Sequence, residues 1–182
     1  MTTFGERFRE HRFVTGAVWL DLLVTLGRAY GVEPIERLYD LGALRTWLDH
    51  EGLTPVAPPA DADVARVKAL RETLRPLVLA VLDHADPPDV TVLQPWLDAD
   101  ERVRATVRDG RPAAAPPSTL DAALARIVRQ AVEQLPGAPL AACADAECRM
   151  AYLDPTGRRR WCSPETCGVK ARVRAHRARA RG

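Results

Sequence analysis

All four cysteines of this 182-residue chain fall within its last forty residues, spaced Cys143-x4-Cys148-x13-Cys162-x4-Cys167. Two close pairs separated by a short segment can bring four thiolates to one point with little loop-closure cost, and thiolates suit Zn2+ better than harder cations. Two disulfides would also use four cysteines, but they need an oxidising compartment. Glu6, Arg7, Arg9 and Glu10 break up any apolar segment of the kind a secretory leader requires, so a cytoplasmic location is expected. Four cysteine ligands leave no open coordination position, which makes the expected zinc structural and not catalytic.

The residues around this pattern predict a small finger. Met150 to Leu153 read as a strand, Asp154-Pro155-Thr156-Gly157 as a turn, and Arg158 to Trp161 as the returning antiparallel strand. Ser163-Pro164-Glu165 then opens a helix, with Ser163 as N-cap and Glu165 beside the positive dipole end. The helix is expected to run to about Ala180, with Val169 and Val173 packing on the finger. It carries Lys170, Arg172, Arg174, Arg177, Arg179 and Arg181 without an acidic residue. Six like charges on one short helix repel, and a polyanion offsets that repulsion. Arg158, Arg159 and Arg160 extend the patch. Residues 143 to 182 hold ten basic and four acidic side chains, whereas the rest of the chain holds sixteen and twenty. A basic end on an acidic body is expected where one part alone meets phosphate, although a solvated basic tail has the same composition.

Before the finger, Phe8 to Val14 read as a short strand. Val18, Leu22, Leu26 and Ala29 predict a buried helix carrying Trp19 and Leu23. Asp40 caps a helix from Leu41 to about His50, with Leu44, Trp47 and Leu48 inward. A long helix starts at Asp61 or Asp63, buries Val64, Val67, Leu70, Leu74, Leu77, Val78, Val81 and Leu82, and kinks near Arg75, ahead of Pro76. Val90 to Leu97 read as a short helix with Trp96. A hairpin turns at Asp109-Gly110, and a helix capped at Ser118 runs past Leu124, Ile127 and Val128 to Leu135. Pro136-Gly137-Ala138-Pro139 ends it. The expected fold class is therefore mainly α (α+β), with a helical domain over residues 1–139 that carries a small β-hairpin, and a finger over 140–182. No apolar run is long enough for a membrane span.

Two resemblances follow from particular residues. Cys143, Cys148, Leu153-Asp154, Trp161-Cys162-Ser163 and Cys167-Gly168, followed by a basic helix, resemble the CGNR zinc finger. Val169-Lys170 stand where that family has Asn-Arg, which keeps a charge but loses the forked guanidinium. Gly16, Leu20, Asp21 and Thr25 resemble the opening motif of the ABATE domain, with Val24 in place of its asparagine. The resemblance implies a bacterial transcription regulator that binds double-stranded DNA and is responsive to an effector or to stress.

No glycine-rich phosphate loop, nucleophilic cysteine or histidine cluster points to an enzyme. Trp19, Asp21 and Trp47 are the effector-site candidates, with a core role as the simpler reading of each. One small finger buries little surface on DNA, so a homodimer that pairs two fingers is expected. An RNA-binding module, with Tyr152 and Trp161 stacking on bases, and an adaptor for an acidic protein partner are the alternatives.

Overall fold

The structure is a computed structural model that describes residues 10–180. It is mainly α-helical, with six α-helices and three two-stranded antiparallel sheets among the described residues. The chain divides into two compact units that cross the expected boundary at residue 139: the segment up to Arg37 and Leu82–His84 cluster with Gly137 onward, and Leu38–Val81 clusters with Ala85–Pro136.

The first unit holds α1 (Val18–Leu23), β1 (Leu26–Gly27) and β2 (Ile35–Glu36), then β5 (Leu140–Ala142), β6 (Ala151–Leu153) and α6 (Val169–Arg179). Its opening helix is shorter than predicted. Val24 closes α1 and the Thr25 hydroxyl donates to the Leu22 carbonyl at 2.7 Å, so Leu26 enters β1 opposite Glu36. Ahead of α1, residues 10–14 form no strand, and Phe8 and Arg9 lie outside the described residues. Asp21 is buried, and its Oδ1 accepts hydrogen bonds from the backbone N–H groups of Val14 and Thr15 at 3.1 and 3.3 Å. A buried carboxylate needs such donors, and here they fix the chain entering α1.

β6 pairs with β5, Leu153 opposite Leu140 and Ala142 opposite Ala151. The expected partner, Arg158 to Trp161, forms no strand. The reason lies in Asp154. Its carboxylate accepts from Thr156 N–H and Oγ1–H and from Arg159 N–H at 2.7 to 3.2 Å, turning the chain away from the ladder. These bonds, the Thr156 hydroxyl first, hold the Asp154 carboxyl below the usual carboxylate range.

The second unit holds α2 (Leu41–His50), most of α3 (Asp61–Leu82), a 3-10 turn (Val90–Leu93) running into α4 (Gln94–Leu97), β3 (Ala105–Arg108), β4 (Arg111–Ala114) and α5 (Leu120–Gln134). Asp40 caps α2 through its bond from Ala43 N–H. Thr119, one residue after the expected Ser118, caps α5 by accepting from Ala122 N–H. Leu44, Trp47, Leu48, Val67, Leu70, Leu124, Ile127 and Val128 are almost fully removed from water, each worth roughly 1.5–3 kcal/mol. α3 continues through Pro76. Its predicted inward stripe holds as far as Val78, but Val81 is exposed.

Candidate metal centre and nucleic-acid interface

The four cysteines are buried and form no disulfide. Their sulfurs all lie within 4.8 Å of one another, with Cys148 to Cys162 at 3.7 Å and Cys162 to Cys167 at 3.6 Å. A tetrahedral ion with Zn–S bonds of about 2.3 Å places its ligands about 3.8 Å apart. Without a cation the cluster must share protons. Hydrogen bonds from Cys148, Cys162 and Cys167 hold the Cys143 thiol far below its usual range, while bonding to Cys143 and then to Cys148 pushes the Cys162 thiol far up. A divalent cation replaces those protons, so the donor set fits one.

Each pair of cysteines sits on a local turn. In the first, Cys143 N–H donates to the Met150 carbonyl, and the N–H groups of Cys148 and Arg149 both donate to the carbonyl of Asp145. Arg149 takes a left-handed backbone with φ 42°. In the second pair, the Ser163 hydroxyl accepts from Thr166 N–H, as expected of an N-cap. A five-residue π-helical turn, Pro164–Gly168, carries Cys167 into α6. The metal centre thus fixes where the basic helix starts.

The cysteines do not form a free-standing finger core. Val24, Cys143, Cys148, Met150, Tyr152, Cys162 and Cys167 make one buried cluster, with Ala141 and Trp161 against it. The Leu153 N–H donates to the Thr15 carbonyl at 2.8 Å, and Asp154 N–H to that of Pro139 at 2.8 Å. Buried Arg37 donates from Nε to the Glu10 carbonyl at 2.8 Å and from Nη1 to the Val24 carbonyl at 2.9 Å. Burial pulls its guanidinium down to about 10, so it remains charged at neutral pH. Arg12 donates from Nη1 to Thr166 Oγ1 at 3.1 Å, and Arg28 pairs with Glu147 at 3.1 Å.

A family model for ABATE, described as "Putative stress-induced transcription regulator", matches residues 16–138. The chain belongs to the ABATE family. A model for the CGNR zinc finger matches residues 140–180, and Cys143, Cys148, Cys162 and Cys167 accordingly hold a structural zinc ion. Among curated proteins no significant match is found. Where the ABATE opening motif has asparagine, Val24 fills the zinc cluster with an apolar side chain.

The basic residues divide into two sets. Arg159 lies over the Tyr152 ring at 4.2 Å and donates to the Cys162 carbonyl at 2.7 Å, and Arg174 pairs with Asp145 at 3.1 Å and Glu147 at 3.5 Å. These two arginines brace the finger. Arg158, Arg160, Lys170, Arg172, Arg177 and Arg179 form no salt bridge among the described residues, and Arg181 lies outside them. Tyr152 is fully buried, and Arg160 covers Trp161 at 5.2 Å. The first of these two rings is therefore closed to base stacking.

Contrary to the sequence expectation, no residue of α6 is buried, and Val169 and Val173 are 41% and 42% exposed. Helix phase alone put these valines inward. The π-helical turn ahead of α6 and the anchoring of Arg174 to Asp145 set the helix differently.

Trp19 and Trp47 are fully buried, in the first and second units respectively, so each is a core side chain. A cavity of about 250 Å³ instead opens beside the cysteines, with Arg12, Arg28, Ile35, Arg37, Met150 and Lys170 in its wall. Sequence reading missed it because its walls come from segments more than a hundred residues apart. Among the described residues no helix is long and apolar enough to cross a membrane.

Proposed function

We propose that this chain is a non-enzymatic transcription regulator of bacterial cytoplasm that binds double-stranded DNA through α6. The supporting observation is the helix itself. It follows directly on the turn that holds the zinc ligand Cys167, carries five Lys and Arg residues and no acid, and buries none of its side chains. A helix that buries none of its side chains gains little from its own protein, whereas the major groove is wide enough to admit one. Lys170, Arg172, Arg177 and Arg179, with Arg158 and Arg160, meet phosphates on this reading, and Arg174 holds the helix to the finger.

Two copies of the chain present two fingers, since one binds little surface. We assign a small-molecule effector to the cavity beside the cysteines. The test is selection of bound fragments from a random duplex library with zinc-replete protein. The proposal predicts an enriched motif with two-fold symmetry, and no enrichment with Cys162→Ser, which loses a ligand and unfolds the finger. Equal enrichment with both proteins, or none with either, contradicts it.

A further inference from the structure

The hairpin β3–β4 carries a second concentration of unpaired positive charge, far from the finger in sequence. Its register places Thr106 opposite Ala113, Val107 opposite Pro112, and Arg108 opposite Arg111. The ladder extends by one further bond, from Ala115 N–H to the Arg104 carbonyl at 2.7 Å. Alternation along the ribbon therefore puts Arg104, Arg108 and Arg111 on one face, and Val103, Ala105, Val107 and Pro112 on the other.

Arg108 directly opposite Arg111 is a like-charge cross-strand pair, an arrangement that weakens a ribbon. No acidic side chain among the described residues forms a salt bridge with either arginine. Arg102, Arg104, Arg108 and Arg111 are exposed and form no salt bridge among the described residues. The composition around them sharpens the contrast. Residues 102–111 hold four arginines and Asp109, whereas the rest of that unit holds seven basic and thirteen acidic side chains.

The hairpin is also held in place. Asp109 and Gly110 take φ of 51° and 74°, the tight turn whose twist suits a two-residue hairpin. At its base, Arg126 donates to the Ala115 carbonyl and to Glu101, both at 2.8 Å. Glu101 also accepts from Ser118 N–H at 3.1 Å. A hairpin braced at its base, with one cationic face on an otherwise acidic body, matches the charge of a nucleic-acid backbone, and a two-stranded ribbon fits a duplex groove.

We infer that β3–β4 is a second contact to duplex DNA, with Arg104, Arg108 and Arg111 on phosphates. This rests on the reading of α6 as a DNA-binding helix, but it assigns contacts to a different unit.

The experiment is a salt titration of duplex binding by the full-length, zinc-replete protein. It compares wild type with the combined Arg104→Gln, Arg108→Gln, Arg111→Gln variant, and with lysine at the same three positions. Each lost phosphate contact lowers the slope of log affinity against log salt by about 0.9. The glutamine variant should thus lose about 2 to 3 from the slope, and the lysine variant should restore it, which a general folding defect would not produce. A glutamine variant that binds with the wild-type slope overturns the hairpin contact and leaves α6 standing. Wild type that fails to bind any duplex at low salt overturns the parent reading itself. Tighter, equally hairpin-dependent binding to duplex RNA overturns the assignment to DNA.

Discussion

Gly27 shows how much one residue can decide. A Cβ built there would sit 2.2 Å from Nη1 and 2.6 Å from Nη2 of Arg37. That guanidinium is buried and tied to two backbone carbonyls, so it cannot swing away without leaving donors unsatisfied. Gly27→Ala is therefore expected to destabilise the protein by about 1–3 kcal/mol, read as a lower midpoint in urea with an unchanged slope. An unaltered midpoint would show that Arg37 moves aside at no cost. The four cysteines and Asp21 were legible as residues, because ligand spacing and the short reach to Val14 and Thr15 are local. Arg12, Arg37 and Arg159 were not. Their importance comes from carbonyl, hydroxyl and ring partners that composition does not reveal, such as the Tyr152 ring under Arg159.

At the scale of elements, helices were legible and strand partners were not. α2, α3 and α5 each combine a sustained apolar period with a cap or an acidic first turn, two signals that agree. β6 was found but paired with the wrong segment, since a three-residue strand has too little pattern to choose a partner. The decision fell to the Asp154 turn. Hydrogen exchange with and without a zinc chelator tests the resulting unit. Because Val24 shares a core with the cysteines and Leu153 bonds Thr15, removal of zinc should expose amides in α1 and β1 together with those of β5 and β6. Protection in α2 and α5 should be retained. Loss confined to residues 140–180 would mean that the finger folds independently of the N-terminal segment.

Across the whole molecule, the family models match residues 16–138 and 140–180, while the compact units join the first described residues to the finger. Both descriptions hold, because sequence modules follow continuous stretches and packing does not. The central claim is that zinc organises a basic helix for duplex DNA. Its most direct test is an anisotropy titration of a labelled duplex by zinc-replete wild type, by chelated protein, and by the combined Arg172→Gln, Arg177→Gln, Arg179→Gln variant, which leaves the Arg174 brace intact. The account predicts salt-sensitive binding by wild type, loss on chelation, and a zinc-bound variant whose salt slope is smaller by about 2 to 3. Undiminished binding by the chelated protein, or a variant with the wild-type slope, would contradict it.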